Sequence, residues 1–328
     1  MTKYQAVGVG NAIVDVISQC DDSFLSRMGI DKGVMQLIDE ERGEFLYGAM
    51  ENRTQMPGGS AANTIAGLGA LGLSTAFIGR VRDDELGRYY ASSLTDVGTT
   101  FVNEPVAGGE GPTSRSMIFV SPDGERSMNT YLGISTDLGP DDVPDEVAGG
   151  AQLLFLEGYL YDKPQGKEAF LAAARACRAG GGRAAISLSD PFCVDRHRDD
   201  FRQLVRELDI VFGNEHEWKS LYQTEDLGAA LEQAAAESGL IVCTRSGHDV
   251  VVVEGDQSVS VPVQEVVPVD ATGAGDQFAA GFLYGVATGQ TLEVSGRMGC
   301  IAAAEVIGHY GARPEADVKA MFRDAGLI

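Results

Sequence analysis

The sequence predicts an α/β protein with a mostly parallel central sheet flanked by helices and a small additional β layer. Two observations predict this architecture. Short apolar or β-branched segments alternate with helical segments along most of the 328 residues, as in repeated βαβ units. Residues 13–40 and 100–131 break that alternation with short strand-like segments and hairpin signals such as SPDGER at 121–126. We expect those two regions to form a small antiparallel sheet apart from a large domain of residues 1–12, 41–99 and 132–328.

The elements of the large domain follow from local pattern. Helical segments separate several of the predicted strands, and they cover residues 60–72, 166–180 and 226–239. The segments with the composition and length of strands are 6–10, 75–79, 151–158, 182–189, 209–214 and 239–244.

Composition excludes several classes of partner. The net charge of −23 is the wrong sign for binding nucleic acid or an anionic membrane, although backbone N–H groups and Mg²⁺ can still hold a nucleotide. The five cysteines are dispersed without a C-x-x-C pair, and the amino-terminal residues resemble a first strand rather than a signal peptide. We therefore expect a cytoplasmic protein that acts on a small molecule, with no nucleic-acid or membrane partner.

Several familiar motifs are absent or incomplete. GVGNAI at 8–13 lacks the third glycine of the dinucleotide fingerprint, because Ile13 stands there, so an oxidoreductase is only weakly supported. No G-x-x-x-x-G-K-[ST] sequence is present, and HEWKS at 216–220 lacks the second histidine of a zinc site.

The stretch VDATGAGDQFAAGF at 269–282 contains the strongest local signal. If a helix begins near Gly273 to Asp276, the N–H groups of Gly273, Ala274 and Gly275 are free at its first turn, where the helix dipole also favours an anion. Asp276 then has two interpretations of equal weight. It is either an ordinary helix-start carboxylate or a general base beside an anion hole.

A second pattern follows two predicted strands. Asn214 and Glu217 have N-x-x-E spacing, and their oxygen atoms suit Mg²⁺, although taken alone the spacing favours a plain helix N-cap with an acidic first turn. In CTRSGHD, Thr244 and Gly247 lie on a turn after residues 239–244, where they could contact phosphate oxygens.

Together these motifs resemble the ribokinase-like (PfkB) sugar and nucleoside kinases. D-x-x-G-A-G-D followed by F-x-x-G-F, at residues 270–282, looks like the carboxy-terminal signature of that family. MPGGSAANTIAGLGALG at 56–72 is similar to its amino-terminal signature, and GNAIVDVI, N-x-x-E and T-x-x-G occur in the family's order. The resemblance covers nearly the whole chain and implies the ribokinase-like fold.

The resemblance also implies an activity, the transfer of the γ-phosphoryl group of ATP to a sugar hydroxyl. In that scheme Asp276 is the base, the amides of 273–275 form the anion hole, and Asn214 and Glu217 organise Mg²⁺ largely through water. ATP and Mg²⁺ are the cofactors of that scheme, and a monovalent cation as a further cofactor stays open. The positions implied at the nucleotide are Asn214, Thr244, Gly247, Gly273, Gly275, Cys300, Ala303 and Ala304.

Residues 13–40 and 100–131 match the family's lid, which closes over the sugar and excludes water. Arg126 matches a lid arginine that reaches the phosphates in nucleoside kinases, and the alternative is an exposed hairpin arginine. Carboxylate and amide side chains suit vicinal hydroxyls, and Tyr159 is a candidate to stack on a base. The positions implied at the acceptor are Asn11, Asp15, Gln36, Gly58, Gly59, Asn63 and Tyr159.

Two stretches favour adenosine as the acceptor. LSDPF at 188–192 resembles L-S-A-P-F of the adenosine kinases, and VFGNEHEW resembles their segment at the same point. Asp190 replaces an alanine of that pattern, and Gln277 stands where alanine is usual. We predict an adenosine kinase; other ribokinase-like sugar kinases (ribose, fructose, ketodeoxygluconate), an inosine or guanosine kinase, and a non-catalytic nucleoside sensor stay open. Both a monomer and a homodimer are compatible with the sequence.

Overall fold

A nine-stranded sheet forms the centre of the large domain in a computed structural model that describes residues 3–109 and 111–328. The strands are β1 (Tyr4–Val9), β2 (Ile13–Gln19), β3 (Met35–Leu37), β4 (Thr54–Pro57), β5 (Thr75–Ile78), β6 (Thr99–Phe101), β7 (Ser114–Val120), β8 (Arg126–Tyr131), β9 (Ala151–Glu157), β10 (Arg183–Ser187), β11 (Ile210–Asn214), β12 (Leu240–Arg245), β13 (His248–Glu254) and β14 (Gln257–Val261). The order across the large sheet is β14-β13-β12-β11-β10-β9-β1-β5-β6. All neighbours from β12 to β6 pair in parallel, and β13 and β14 add an antiparallel edge.

Helices cover both faces of this sheet. They are α1 (Asp22–Met28), α2 (Glu40–Ala49), α3 (Ser60–Ala70), α4 (Glu85–Asp96), α5 (Asp145–Ala148), α6 (Pro164–Ala179), α7 (Pro191–Arg196), α8 (Arg198–Glu207), α9 (Glu215–Tyr222), α10 (Leu227–Glu237), α11 (Ala274–Ala287), α12 (Leu292–Val306) and α13 (Val318–Asp324). Short 3₁₀ helices span Gly133–Asp137, Pro140–Asp142 and Gly158–Asp162. No helix among the described residues is long and apolar enough to cross a membrane.

Alternation along the buried strands produces two apolar cores. In β9, Leu153 and Phe155 face the core beneath α3, α11 and α12, whereas Leu154 and Leu156 face the core beneath α6 and α8. Successive side chains of a strand point to opposite faces, so a strand covered on both sides is apolar throughout. The α/β class and the mostly parallel sheet predicted from the sequence are confirmed.

Small residues bring α11 and α12 into close contact. A Cβ atom on Gly281 would lie 2.4 Å from the Met298 carbonyl oxygen, and one on Gly285 would lie 2.4 Å from Ser295 Oγ. Larger side chains at these glycines would push the two helices apart. The close packing fixes the position of α11, whose first residues form the candidate site.

The second sheet has five strands in the order β3-β8-β7-β2-β4. It differs from the predicted lid in two strands, because β4 (Thr54–Pro57) pairs with β2 from outside the predicted ranges, and β6 (Thr99–Phe101) belongs to the large sheet. It is also mixed rather than antiparallel. β2 runs parallel to β7 because the chain crosses into the large domain and back between them, which a local hairpin pattern cannot indicate.

Candidate active site

The glycine loop before α11 presents free N–H groups, as the sequence predicts, but not the same three. Gly273 is the N-cap residue with φ +78, a left-handed conformation that favours glycine. The Ala274 N–H donates to the Ala271 carbonyl oxygen at 3.3 Å, which corrects the predicted set. Among the described residues, the N–H groups of Gly273, Gly275 and Asp276 have no acceptor in the fold. A Cβ on Gly275 would meet no atom within 4 Å, so the space in front of this turn is open.

Asp276 lies at this turn and is held by α3. Ser60 Oγ donates to one carboxylate oxygen at 2.7 Å, and Asn63 Nδ2 donates to the other at 3.1 Å. The Thr64 hydroxyl donates to the Asp276 backbone carbonyl at 3.1 Å. Burial raises the pKa of the carboxyl to about 6, against the lowering effect of the Ser60 and Asn63 donors and the Arg313 charge. A carboxylate with this pKa is ionised at neutral pH and is still basic enough to accept a proton.

The predicted acceptor residues Asp15, Gly58, Gly59 and Asn63 converge at the amino end of α3. Gly59 has φ +90, and a Cβ there would lie 2.3 Å from the Asn11 carbonyl oxygen, so only glycine fits. A Cβ on Gly58 would lie 2.6 Å from Asp15 Oδ2. Burial raises the pKa of Asp15 to about 7, while the charges of Arg126 and Arg313 lower it. A cluster of carboxylate, amide and backbone groups therefore lies next to Asp276.

Glu157, which the sequence analysis missed, connects three segments next to that cluster. One oxygen accepts from Asn11 N at 2.8 Å and from Asn11 Nδ2 at 2.7 Å, and the other accepts from Ala61 N at 2.8 Å. The side chain is 1% exposed, and burial raises its pKa to about 7 against these donors. Asn11, predicted at the acceptor, thus has its side-chain amide engaged by Glu157. No local pattern marks Glu157, because it is simply the last residue of an apolar strand.

Arg126 joins the small sheet to the glycine loop. Its guanidinium donates to Asp270 Oδ2 at 2.5 Å and to the Thr272 hydroxyl. The two charged side chains are 12% and 2% exposed, so the alternative of an exposed hairpin arginine is wrong. Asp270 also accepts from Gly311 N at 3.0 Å and from Thr272 N at 3.0 Å. Arg126 therefore contacts the same loop that carries the free N–H groups.

Gln36 and Tyr159, predicted beside a base, belong to different parts of the site. Gln36 is on β3, at the edge of the small sheet, and donates to Asp31 Oδ2 at 2.5 Å. Tyr159 lies in the 3₁₀ turn after β9, in contact with the core under α6 and α8. Burial, and then the Asp190 carboxylate beside it, raises the pKa of its hydroxyl well above the ordinary value.

Asn214 and Glu217 form a reciprocal capping box at the start of α9. Glu217 N donates to Asn214 Oδ1 at 3.0 Å, and Asn214 N donates to Glu217 Oε2 at 2.8 Å. Asn214 Nδ2 also donates to Glu217 Oε1 at 2.6 Å. Each side chain thus satisfies the other, and Glu217 is 4% exposed. The helix-cap interpretation is correct for the fold, and a role toward Mg²⁺ stays a prediction.

The remaining nucleotide positions surround α12 and the β12–β13 turn. Thr244 is beside Asn214 in the sheet register, and Gly247 is exposed with open space around it. Cys300 is 5% exposed within the apolar core, and burial raises its pKa to about 11. Ala303 and Ala304 are half-buried on the same helix. Of these three, only the alanines offer surface to a ligand.

Similarity to known proteins agrees with this geometry. The family model of the pfkB family carbohydrate kinases matches residues 30–319. The chain belongs to this family. It is therefore a phosphotransferase with an alcohol group as acceptor.

Two solved structures share the fold of this family member over nearly its full length. An adenosine kinase from Sinorhizobium meliloti is 46% identical over 98% of this chain and 99% of its own, with a TM-score of 0.92. A probable sugar kinase protein from Rhizobium etli is 45% identical over 100% of both chains, with a TM-score of 0.93. An uncharacterized sugar kinase from Archaeoglobus fulgidus is 30% identical over 75% of this chain and 96% of its own length. The ribokinase-like architecture predicted from the sequence is confirmed.

Proposed function

We propose that this kinase phosphorylates the 5′-hydroxyl of adenosine with ATP, giving AMP and ADP. One observation carries the reaction. The Asp276 carboxylate is fixed by Ser60 and Asn63 next to three N–H groups that have no acceptor in the described fold. This is the arrangement of a base beside an anion hole.

In the proposed step, the oxygen of the acceptor hydroxyl bonds to the γ-phosphorus, and Asp276 takes the proton of that hydroxyl. The bond from that phosphorus to the bridging oxygen of ADP breaks, and ADP leaves with the electron pair. The N–H groups of Gly273, Gly275 and Asp276 donate to the charge on the phosphoryl oxygens. Ser60 and Asn63 keep the carboxylate aimed at the hydroxyl, so the alignment does not have to be formed during the reaction.

The acceptor's ribose would be held at the amino end of α3. Asp15 and Asn63 supply acceptors and a donor for vicinal hydroxyls, and the backbone at Gly58 and Gly59 approaches closely because neither residue has a Cβ. Asn11 keeps the turn below them in place through Glu157. These groups alone suit ribose, fructose or the sugar of a nucleoside.

An exposed aromatic side chain on α7 is available to stack on a flat base. Phe192, at the start of α7, is 75% exposed although it is a large apolar residue. The turn that contains Tyr159 packs on α7. An exposed aromatic ring such as Phe192 suits stacking on a nucleobase, which supports a nucleoside over a free sugar. Gln36, on the small sheet, is the proposed base-side polar residue.

ATP would bind with its phosphates at the glycine loop and near Thr244 and Gly247. The free N–H groups and the open space at Gly275 fit a phosphate. For Mg²⁺, the described residues contain no group of three His, Cys, Asp or Glu that could hold the ion. Asn214 and Glu217 would therefore act on it only through water, and the ion would arrive with the nucleotide.

The relatives support two acceptors. Similarity to the Sinorhizobium adenosine kinase over 98% of the chain favours adenosine. The equally similar Rhizobium protein is described as a probable sugar kinase, which keeps a free sugar as the second candidate.

The test is ADP release with Mg-ATP and adenosine, inosine, guanosine, ribose or fructose. We expect selective turnover of adenosine and a loss of about 10²-fold or more in Asp276→Asn. Asp256→Asn, in the exposed β13–β14 turn, is the matched control and should keep the wild-type rate. Turnover of a sugar alone would overturn the nucleoside assignment, and full activity of Asp276→Asn would overturn the mechanism. Nucleoside binding without turnover would instead favour a non-catalytic nucleoside sensor.

A further inference from the structure

Arg313 lies in the loop between α12 and α13, directly behind the candidate site. The loop is fixed there because Gly311 N donates to Asp270 at 3.0 Å, and Gln277 Nε2 donates to the Ala312 carbonyl oxygen at 2.9 Å. Gln277, one of the two departures from the family pattern, also donates to the Asn63 carbonyl oxygen at 3.0 Å. This segment is therefore part of the frame that surrounds Asp276.

The guanidinium of Arg313 makes two hydrogen bonds and no close ion pair with the described residues. Nε donates to Asn63 Oδ1 at 3.3 Å, Nη1 donates to Ser93 Oγ at 3.4 Å, and Nη2 is buried without a partner. A half-buried cation with no contacting carboxylate is costly. Its location next to two acidic groups, Asp15 and Asp276, offsets that cost through space.

These contacts fix which way the Asn63 amide points. Arg313 Nε can only donate, so the Asn63 atom facing it is the oxygen, and the amide nitrogen faces Asp276. If the amide rotated by half a turn, its oxygen would face the carboxylate and the hydrogen bond to Asp276 would be lost.

We propose that Arg313 is a positioning residue of the phosphoryl-transfer site, which sets the orientation of the Asn63 amide and thereby the hydrogen bond that it donates to Asp276. The inference rests on the proposed role of Asp276 as the base. It adds a residue from the loop beyond α12, far in sequence from the glycine loop and from the α3 signature.

A second consequence concerns charge. The groups that act on Asp276 are the donors Ser60 and Asn63 and the Arg313 cation, and its carboxylate in turn acts on Asp15 and Glu157. Arg126 also acts on Asp15, but it is paired with Asp270. If a neutral residue replaces Arg313, the carboxyl groups of Asp15, Glu157 and Asp276 share this region without its charge. Arg126, the other cation named here, is paired with Asp270. The acidic limb of the rate profile should then move to higher pH.

The experiment measures kcat and KM between pH 5 and 9 for Arg313→Met and Arg313→Lys, with Ser93→Ala as the matched control. For Arg313→Met we expect a plateau kcat lower by about 10-fold and an acidic limb shifted upward by about one pH unit. Arg313→Lys should keep the limb near its wild-type position, because the charge remains, and should lose kcat, because a flexible ammonium group cannot reproduce the directed Nε bond that orients Asn63. Ser93→Ala should move neither.

Folding is checked by thermal melting, and Arg313→Lys decides the question if Arg313→Met does not fold. The limb shift must persist in an Asp15→Asn background, which excludes Asp15 as its source. A folded Arg313→Met enzyme with wild-type kcat and limb would overturn the inference, as would an Arg313→Lys enzyme with wild-type kcat. If Asp276→Asn is inactive in either case, the proposed base stands and only the role of Arg313 fails. If Asp276→Asn is active, the proposed function fails first.

Discussion

Gly273 and Gly275 are two residues apart in the glycine loop, yet alanine should have opposite effects on stability at the two positions. Gly273 has φ +78, and a Cβ there would lie 2.6 Å from Ala312 Cα, which is backbone and cannot move aside. Gly275 has no such constraint, and no atom lies within 4 Å of its added Cβ.

The expected magnitudes follow from these contacts. The left-handed conformation costs alanine about 1–2 kcal/mol, and overpacking against Ala312 adds about 1–3 kcal/mol, so Gly273→Ala should lose about 2–5 kcal/mol of the free energy of unfolding. Gly275→Ala should be neutral or gain up to about 1 kcal/mol, because alanine is the better helix former. For 328 residues, an unfolding entropy of about 0.7 kcal/mol/K converts 1 kcal/mol into about 1.5 °C of Tm.

Both variants should lose activity. Gly273→Ala reorients the loop, and Gly275→Ala places a methyl group in the open space before the free N–H groups, so we expect kcat to fall by about 10–10²-fold in each. Gly289→Ala is the control, since it has φ +73 and no neighbour within 4 Å at the other end of α11. It should lose about 1–2 kcal/mol without changing kcat.

The assays are thermal melting and coupled ADP release at saturating substrates. A Gly275→Ala enzyme with wild-type kcat would refute the anion hole at this turn. A Gly273→Ala enzyme with an unchanged Tm would refute the steric reasoning, and loss of kcat in Gly289→Ala would show that strain alone accounts for the lost activity.

Four further outcomes are expected. Burial raises the pKa of Asp276 to about 6, and the base must be ionised, so kcat/KM should fall about tenfold per pH unit below pH 6. A value of kcat/KM that does not change from pH 5 to 7 would contradict this. Asn214→Ala removes the helix cap and should lower the free energy of unfolding by about 1 kcal/mol in a denaturant melt, whereas Asn214→Ser should keep the cap and its stability. A weaker apparent affinity for Mg²⁺ in Asn214→Ser would support the metal role. Arg126→Met should lose about 3–5 kcal/mol of the free energy of unfolding because Asp270 is left buried without a cation. A double variant with Asp270→Asn should recover part of this loss if the broken pair is its cause. Burial raises the pKa of Glu217 to about 7, whereas in the unfolded chain it is near 4.5. The free energy of unfolding should therefore fall as the pH rises from 4.5 to 7, because the unfolded chain loses this proton first. In Glu217→Gln the fall should be less steep.

The sequence by itself determined the elements whose signals are local. Strand and helix alternation, the glycine turn before α11 and the Asn214–Glu217 capping box each depend on neighbours within a few residues, and all are recognisable in the linear pattern. Asp276 was marked in the same way, although its two interpretations could not be separated, because a capping carboxylate and a catalytic base have the same local sequence.

Only the tertiary structure decided which distant groups meet. The bond from Ser60 to Asp276 joins residues 216 positions apart, and the bond from Arg313 to Asn63 joins residues 250 positions apart. Glu157 and Arg313 have no distinctive neighbours in sequence, and β4 joins the small sheet through a pairing that its own residues do not specify. The physical reason is that periodicity and turn chemistry report the conformation of a segment. The position of one charged group relative to another depends instead on the order of the strands in the sheet and on which strand ends lie next to each other.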